Sequence, residues 1–387
     1  MLFHVPLFMY DGISIVLYHV RKGVLNMLDI KVNKVSESEL KPLFEDPSKL
    51  GFGVNFTDHM FTMKWKEGKG WHDAEISKLK PFSLHPASIV FHYGQEIFEG
   101  LKVFASTDGE DILLFRPDQN VKRFNRSAAR LCMATLDEAE MMEAIEELVL
   151  TEKRWIPRHK GASLYVRPTM IGIQDVLGVK ASDEYLFFII LSPVGPYYPQ
   201  GFKPIDLFVA DTYVRAVAGG VGEAKCGGNY AASLLAGAEA KKKGFAQVLW
   251  LDGVHRKYIE EVGAMNLFLV YGDKLVTPAL NGSILPGITR ASIIELAKNA
   301  GVDVEEKEIA IDDVVADIES GKLTEIFGSG TAASVSPVGS LNYKDKDYVV
   351  GDRKVGEITT KLYNKLQAIQ YGEVEDKLGW VSNIGKL

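Results

Sequence analysis

The sequence is poor in cysteine and lacks the paired histidines of the usual zinc enzymes. Its 387 residues contain two cysteines, Cys132 and Cys226, which are far apart and form no Cys-x-x-Cys spacing. Neither a disulfide framework nor a cysteine zinc site is therefore expected. The eight histidines show no paired spacing on one helix face, so no metal site is predicted. A reducing, cytoplasmic compartment fits this cysteine usage best.

Three common phosphate-binding or nucleophile motifs are also missing. There is no Walker A pattern, and the GVG segment at 220–222 lacks the third glycine of a dinucleotide fingerprint, with Lys225 in its place. The GSG segment at 328–330 resembles half of a nucleophile elbow, but the second glycine is absent. Nothing in the sequence therefore predicts a P-loop enzyme, a dinucleotide-binding fold or a serine hydrolase.

Excess positive charge and long hydrophobic runs are absent as well. The formal net charge is −7, which argues against a general nucleic-acid binder. The apolar start of the chain is interrupted by Asp11, and its positive charge follows the apolar run, so it predicts neither a signal peptide nor a membrane span. We expect the conventional sequence to begin at Met27, with residues 1–27 as an N-terminal extension outside the native fold.

What is present is an alternation of strand-like and helical segments. Three apolar stripes predict helices with core-facing sides: Met141, Ile145, Leu148 and Val149; Ala231, Leu234, Leu235 and Ala238; and Ile293, Leu296, Ala297 and Ala300, followed by Gly301. Segments rich in β-branched and aromatic residues predict strands at 164–173, 185–191, 205–210, 247–251 and 266–271.

A segment rich in proline, glycine and tyrosine divides the chain. Residues 193–201 read PVGPYYPQG, which has the turn residues and stiffness of an interdomain connector. We therefore expect a two-domain protein of α+β and α/β character. Its small N-terminal α+β domain covers residues 28–195, its interdomain loop residues 196–203, and its larger C-terminal domain residues 204–387.

One lysine lies next to two glycines and an amphipathic helix, in the segment EAKCGGNYA at 223–231. Two further segments suit a phosphate: LPGITR at 285–290 leads into a predicted helix, whose N-terminus favours an anion, and GSGTAA at 328–333 follows a predicted strand at 324–327. A lysine with two phosphate loops suggests a phosphorylated aldehyde cofactor, and pyridoxal phosphate meets that description. The cofactor also needs an acid near its ring nitrogen, and the segment EEVGAMN at 260–266 offers candidates.

The same segments resemble the fold-type IV pyridoxal-phosphate enzymes, which have the D-amino acid aminotransferase-like fold. The motifs that carry this resemblance are AKxGGNY at 224–230, ExxxxNLF at 261–268, LPGITR at 285–290 and SGTA at 329–332. Four more resemble the branched-chain amino acid aminotransferases in particular: FTDHMFTMKW at 56–65, HYGQEIFEGLK at 92–102, LFRP at 114–117 and YVRP at 165–168. The resemblance covers residue 28 to the C-terminus.

The resemblance implies a set of roles around pyridoxal 5′-phosphate. Lys225 would form the imine with the cofactor and carry the proton between the substrate Cα and cofactor C4′. Glu261 would pair with the ring nitrogen and Tyr230 with the ring hydroxyl oxygen. The phosphate would contact Arg123, the amides of Ile288 and Thr289, and Thr331; Arg116 and Arg126 are rivals of Arg123, which is favoured by its position relative to Phe115.

The implied substrate pocket takes branched apolar side chains and also the acidic side chain of glutamate or 2-oxoglutarate. Arg167 would bind that acidic side chain, and the amides of Thr331 and Ala332 the α-carboxylate. The aromatic and apolar lining implied by the resemblance comprises Phe98, Tyr165 and Tyr197 from one subunit, and Tyr93, Leu177 and Val179 from a second. A site completed by a neighbouring chain implies a homodimer.

The implied activity is transfer of the amino group of L-leucine, L-isoleucine or L-valine to 2-oxoglutarate by a ping-pong reaction. A D-amino acid aminotransferase, an aminodeoxychorismate lyase and a non-catalytic pyridoxal-phosphate carrier remain alternatives. The chain departs from mammalian members of the family, in which a Cys-x-x-Cys redox pair follows the Gly-Thr-Ala motif, because it has Ala333 and Ser336 there. That regulation is expected to be absent, and packing is the expected role of Cys226.

Overall fold

The computed structural model describes residues 28–195 and 201–387, which form two sheets surrounded by helices. The predicted extension at 1–27 and most of the predicted interdomain loop, including Tyr197, lie outside the described residues. In the part of the chain that is described, no helix is both long and apolar enough to cross a lipid bilayer.

The first sheet contains nine strands. They are β1 Lys31–Val32, β2 His59–Lys66, β3 Gly70–Lys78, β4 Glu96–Phe98, β5 Leu101–Ala105, β6 Asp111–Phe115, β7 Ser163–Gly172, β8 Glu184–Val194 and β18 Val381–Lys386. Their order is β1-β3-β2-β8-β7-β5-β6-β18, and β4 pairs with β7. The last strand of the chain therefore returns to the sheet that the N-terminal half builds, where it pairs antiparallel with β6.

The second sheet also contains nine strands and closes on itself. They are β9 Ile205–Ala210, β10 Gln247–Leu251, β11 Ile259–Val262, β12 Met265–Tyr271, β13 Lys274–Pro278, β14 Asp303–Lys307, β15 Glu325–Gly330, β16 Ser334–Tyr343 and β17 Lys346–Val349. The order β11-β10-β9-β16-β15-β12 becomes a ring because β11 also pairs with β12. This ring is a barrel, from which β13, β14 and β17 extend.

Seven α-helices accompany the sheets in the described residues. They are α1 Ile89–Tyr93, α2 Pro117–Arg130, α3 Glu138–Thr151, α4 Gly227–Lys242, α5 Ile288–Asn299, α6 Ile311–Glu319 and α7 Glu357–Gln370. Short 3₁₀ turns occur at Glu37–Glu39, Pro47–Lys49, Lys153–Trp155 and Gly351–Arg353.

Apolar residues at every second position of the barrel strands explain how the second sheet closes around an apolar core. Leu207 and Val209 of β9, Leu249 of β10 and Leu267 and Leu269 of β12 are two residues apart within their strands and join one buried cluster. Residues at that spacing share a face of the sheet. Helix α6 contributes its buried apolar residues to the same cluster.

The predicted strands are confirmed, with bounds that differ by at most three residues. The α3 stripe is buried as predicted, and α5 ends before Gly301, whose φ of +78° suits the left-handed position after a helix. The core face predicted for α4 is wrong, because Leu234 and Leu235 are 70% and 55% exposed.

The buried side of α4 consists of smaller residues than the predicted stripe. Ala236 and Ala240 pack against Val248 and Trp250 of β10. Small residues suit the close packing of α4 on β10 beside the large indole, and the leucines lie on the opposite, exposed side of the helix. Periodicity located the helix but assigned its inner face to the larger residues.

Candidate active site

A cavity of about 260 Å³ lies between the two sheets and brings together most of the predicted site residues. The predicted residues that line it are Phe98, Arg123, Tyr165, Arg167, Lys225, Tyr230, Glu261, Ile288, Thr289, Thr331 and Ala332. They come from β4, α2 and β7 on one side and from the barrel, α4 and α5 on the other. The described residues contain no group of three or more histidine, cysteine, aspartate or glutamate side chains arranged to hold a metal ion.

Lys225 occupies the end of the loop that precedes α4, and its backbone is held from both sides. Its amide donates to Ser127 Oγ at 2.9 Å, and its carbonyl accepts from the Phe98 amide at 3.0 Å. The Asn229 side chain clamps the loop, because its amide group donates to the Val221 and Ala224 carbonyls at 2.8 Å each. The fold thus fixes the root of the lysine side chain.

The Lys225 amine points to the aromatic part of the cavity. Nζ donates to Tyr230 Oη at 2.8 Å and lies 4.9 Å from the centre of the Phe98 ring. Both contacts suit a cation, through a hydrogen bond and through the negative face of a ring. The predicted imine-forming lysine and the predicted partner of the ring hydroxyl are therefore neighbours.

Glu261 lies in strand β11, just ahead of β12, and is opposite Asn266 in the β11–β12 hairpin. Its carboxylate accepts from the Leu285 amide and from Asn266 Nδ2, both at 3.1 Å, and lies 2.7 Å from Arg215 Nε. Burial raises the pKa of Glu261 to about 7, although Arg215 acts in the opposite direction. The carboxyl group can therefore gain or lose a proton near neutral pH.

The N-terminus of α5 opens onto the cavity. The helix begins at Ile288, with Gly287 as its N-cap residue, so the first amides have no partner within the helix. A Cβ added at Gly287 would overlap the Asn266 side chain, which explains the glycine of the LPGITR motif. Free amides and the positive end of the helix dipole make this position suitable for a phosphate.

Arg123 lines the cavity, whereas its two rivals do not. Arg116 donates to Ser292 Oγ at 2.9 Å and covers the Trp380 ring, and Arg126 is exposed. Arg123 is buried and pairs with Glu99 through Nε and Nη2 at 2.7 and 2.9 Å. Although burial acts against its charge, Glu99 raises the pKa of Arg123 above its usual value.

The guanidinium of Arg123 has hydrogen-bonding capacity left for a ligand. A guanidinium has five N–H donors; two go to Glu99, and Nη1 donates to the Pro286 carbonyl at 3.2 Å. The remaining donors lie beside the N-terminus of α5, which follows Pro286. This arrangement fits the predicted phosphate end of the cavity.

The third wall of the cavity comes from the tip of the β15–β16 hairpin. The sequence suggested a loop from 328 to 333, but residues 328–330 belong to strand β15, and only residues 331–333 form the loop. Thr331 and Ala332 are therefore held in a tight turn between paired strands, with Gly330 opposite Ser334. Short hairpin loops are well defined, which favours a fixed position of their amides.

Arg167 lies among aromatic rings on the substrate side. Its guanidinium carbon is 4.7 Å from the centre of the Phe98 ring and 5.2 Å from that of Tyr165, and Nη2 donates to Tyr165 Oη at 3.1 Å. Its Nε is buried without a hydrogen-bond partner among the described residues. A Cβ added at Gly100 would overlap the Tyr165 hydroxyl, so this glycine makes room for the ring.

Three predicted substrate residues do not reach this cavity within the single chain. Tyr93, Leu177 and Val179 are exposed, and the Tyr93 hydroxyl donates to the Leu177 carbonyl. Their place in the pocket of a neighbouring subunit stays a prediction. Tyr197 lies outside the described residues.

Several polar residues that hold the site were missed by sequence reasoning. Glu99 fixes Arg123, Arg215 contacts Glu261, and Lys102 donates from Nζ to the Ala332 carbonyl at 2.9 Å. Burial lowers the pKa of Lys102 to about 8. Glu99 and Lys102 lie within the HYGQEIFEGLK motif, so the motif marked them, but nothing in the sequence marked Arg215.

Cys226 follows the lysine but faces the core of the first sheet. It is buried in the apolar cluster of that sheet, and burial raises the pKa of its thiol. A protonated, enclosed thiol is a poor nucleophile. Its surroundings are therefore those of a packing residue.

Comparisons with known proteins identify the family of the chain. The family Amino-transferase class IV matches residues 96–341. "Branched-chain-amino-acid transaminase 1" of Bacillus subtilis (strain 168) is 52% identical over 91% of this chain and 100% of its own length. A "Probable branched-chain-amino-acid aminotransferase" of Staphylococcus aureus (strain N315) is 53% identical over 91% of this chain and 97% of its own length.

Solved structures show the same architecture. The branched-chain amino acid aminotransferase of Escherichia coli has a TM-score of 0.69 and 29% identity, covering 84% of this chain and 99% of its own. A structure of the T.th. enzyme with pyridoxamine 5′-phosphate also has a TM-score of 0.69, with 26% identity, over 84% of this chain and 98% of its own. The chain therefore belongs to the class IV aminotransferases and, within that family, to the branched-chain amino acid aminotransferases.

Proposed function

We propose that this transaminase moves the amino group of L-leucine, L-isoleucine or L-valine to 2-oxoglutarate, with pyridoxal 5′-phosphate as its cofactor. The observation that carries the proposal is the convergence, in one cavity, of the Lys225 amine, the Glu261 carboxyl group and the N-terminus of α5. The relatives' names support the branched-chain substrates. Two structures of the T.th. branched-chain amino acid aminotransferase contain N-(5′-phosphopyridoxyl)-L-glutamate and pyridoxamine 5′-phosphate.

The residues of the cavity fit pyridoxal phosphate. An amine suits its aldehyde, an acid its ring nitrogen, and the α5 amides with Arg123 its phosphate. When bound, the cofactor supplies a carbonyl group that takes up the amino group and a protonated ring that withdraws electrons from the substrate Cα. Residues of the chain itself would bind and orient the substrate and move the proton.

Lys225 is proposed to hold the cofactor and then to move the proton at the substrate Cα. Its backbone is clamped by Ser127 and Phe98, so the flexible part of the side chain is the only part that must move. Tyr230 accepts a hydrogen bond from Nζ and can exchange that contact for one to the ring hydroxyl oxygen. A general base in such a position contributes about 10²–10⁴-fold to a rate.

Glu261 is proposed to keep the ring nitrogen protonated. Burial holds its pKa near 7, and a cation at hydrogen-bonding distance favours the ionised form of a carboxyl group. Asn266 and the Leu285 amide orient its Oε1. An ion pair with the ring nitrogen would compensate Glu261 for the solvation that it loses by burial.

The substrate side must accept both apolar and acidic side chains. Phe98 and Tyr165 present aromatic surface to the branched side chains, and Arg167 presents a cation between them. The amides of Thr331 and Ala332, at the tip of the β15–β16 hairpin, are proposed to bind the α-carboxylate. Lys102 would hold that hairpin through the Ala332 carbonyl.

The domain division, the homodimer and the location also remain proposals. The two sheets support domains at 28–195 and 204–387, joined by residues 196–203, although strand β18 crosses back to the first sheet. The exposed patch of Tyr93, Leu177 and Val179 supports a second subunit. The two unpaired cysteines support a cytoplasmic location.

The test is an assay of the purified protein with pyridoxal phosphate and three candidate substrates. We expect transfer from L-leucine to 2-oxoglutarate, followed as L-glutamate formed, and no comparable turnover of D-alanine or of aminodeoxychorismate. Turnover of D-alanine without turnover of L-leucine would overturn the proposal in favour of a D-amino acid aminotransferase. Binding of the cofactor with no turnover of any substrate would favour a carrier.

A further inference from the structure

A carboxylate that none of the proposed roles uses lies on the cavity face of strand β4. In the antiparallel β4–β7 pair, Phe98 is opposite Thr169 and Glu96 is opposite Ile171. Opposed residues share a face of a sheet, and residues two apart in a strand also share one. Glu96 therefore lies on the same face as Phe98 and Arg167, two of the proposed substrate residues.

The N-terminus of α4 makes room for this carboxylate. The amide of Gly227, the first residue of α4, donates to Glu96, and a Cβ at Gly227 would overlap Glu96 Oε1. The positive end of a 16-residue helix favours a negative charge at this point. The first glycine of the KCGGN segment thus admits Glu96, whereas a Cβ at Gly228 would meet nothing within 4 Å.

Arg167 forms no direct ion pair with a carboxylate among the residues that the structure describes. Its described polar contact is with the Tyr165 hydroxyl, and its buried Nε makes no hydrogen bond there. Glu96 interacts with its charge, and this interaction lowers the pKa of Glu96 while burial, the larger effect, raises it. Glu96 and Arg167 thus interact across the cavity face without forming a contact ion pair.

We propose that Glu96 is the counter-charge of Arg167 and sets how strongly the site prefers an apolar over an acidic substrate side chain. This inference rests on the proposed function. A branched apolar side chain adds no charge, so the interaction between Arg167 and Glu96 is unchanged when it binds. The side-chain carboxylate of glutamate or 2-oxoglutarate brings a second negative charge to the same arginine, and Glu96 repels it.

The test replaces Glu96 by Gln, which keeps the shape and can still accept the Gly227 amide. The selectivity of the amino-donor half-reaction is measured in single turnovers of the holoenzyme, as kcat/KM for L-glutamate divided by kcat/KM for L-leucine. We expect Glu96→Gln to raise this ratio about three- to tenfold, because a unit charge several Å away in a partly buried site is removed. Glu96→Asp, which retains the charge, should stay within about twofold of the wild type.

Glu110→Gln is the matched control, because Glu110 is an exposed carboxylate that pairs with Lys386. If Glu96 had only a structural role, its replacement would lower kcat/KM for L-glutamate and for L-leucine together and leave the ratio unchanged. A ratio within twofold of the wild type in Glu96→Gln, or an equal rise in Glu96→Asp, would overturn the inference. Failure of the wild type to turn over either amino acid would instead overturn the proposed function.

Discussion

At the scale of single residues, the fold buries Glu261 so that its carboxyl group titrates near neutral pH. Burial raises the pKa of Glu261 from about 4.5 to about 7 in the folded chain. Between these pH values the folded chain holds a proton that the unfolded chain has released. Stability from this group is therefore fully present below about pH 4.5 and is lost as the pH rises through about 7.

This sign gives a prediction for the cofactor-free protein. Glu261→Gln resembles the protonated carboxyl group and does not titrate, so its Tm relative to the wild type should rise between pH 5 and pH 8. A shift of about 2–4 °C in that difference is expected, measured by thermal unfolding at several pH values. Parallel curves for the two proteins would mean that Glu261 does not titrate in this range.

Saturation with pyridoxal phosphate should favour the wild type over Glu261→Gln in thermal stability. A cation beside Glu261 stabilises the ionised form, and the neutral amide cannot replace it. The holo form of Glu261→Gln should therefore gain less Tm from the cofactor than the wild type does. It should also transfer the proton at the substrate Cα about 10²-fold more slowly.

At the scale of elements, the N-terminus of α5 depends on one glycine. Gly287 has φ of −67°, an ordinary value, so its backbone conformation alone does not require glycine. Its Cβ position is filled by the Asn266 side chain, which also donates to Glu261 and to the Leu285 carbonyl. One small residue thus couples the N-terminus of α5 to Glu261, which are the proposed phosphate and ring-nitrogen ends of the cavity.

Gly287→Ala should therefore weaken cofactor binding without preventing folding. Displacing Asn266 removes its two hydrogen bonds, at roughly 1 kcal/mol each, and we expect the Kd for pyridoxal phosphate to rise about tenfold or more. Fluorescence titration of the apoenzyme measures this. The control is Gly237→Ala, at an exposed position of α4 where an added Cβ meets nothing within 4 Å; equal affinities in the two variants would contradict the assigned role of Gly287.

Element by element, the sequence predicted what periodicity and turn residues encode. The strand at Ile205–Ala210 and the end of α5 before Gly301 follow from local patterns, whereas α5 begins at Ile288, inside the LPGITR segment that was predicted to precede it. The exposed leucines of α4 and the strand character of residues 328–330 do not follow from local patterns. Both depend on residues distant in the sequence: Trp250 packs against the alanines of α4, and β16 pairs with the glycine-rich segment.

The site residues divide in the same way. Lys225, Glu261 and Arg123 were located by a family resemblance that fixes their positions in the sequence, and the cavity brings them together. Arg215, which contacts Glu261, was not located, and Glu99, which holds Arg123, lies in a motif of the resemblance but was assigned no role. A buried charge needs a partner, but the sequence does not say which of the chain's many charged residues folding brings to it.

At the scale of the whole molecule, the cavity is built between two sheets, and part of its predicted lining faces away from it. The exposed patch of Tyr93, Leu177 and Val179 would complete the cavity of a second copy in a two-fold dimer. The exposed Leu234 and Leu235 of α4 add further apolar surface. A shared site of this kind can be tested by mixing two inactive variants.

Val179→Asp and Lys225→Ala should each be inactive alone and should complement one another. In a mixed dimer, one cavity combines an intact Lys225 with an intact Val179, and the other contains both changes. Unfolding and refolding an equal mixture should therefore restore about a quarter of the wild-type activity, since half of the dimers are mixed and have one working site.

Lys69→Ala, at an exposed lysine, is the control partner in this experiment. Its mixture with Val179→Asp should show about half of the wild-type activity both before and after refolding, because exchange of subunits creates as many working sites as it removes. No recovery for the Lys225→Ala pair, with the control mixture unchanged, would contradict the shared site.

The central claim is that Lys225, and no other lysine, holds the cofactor. Lys102 is the nearest rival, because its amine is buried beside the Thr331–Ala332 turn and burial lowers its pKa to about 8. Borohydride reduction of the holoenzyme fixes a pyridoxyl group on the lysine that carries it, and peptide mass spectrometry identifies that residue. We predict the label on Lys225, within residues 223–231, and no label in Lys225→Ala; a label on Lys102 in the wild type, or an unchanged label in Lys225→Ala, would contradict the account.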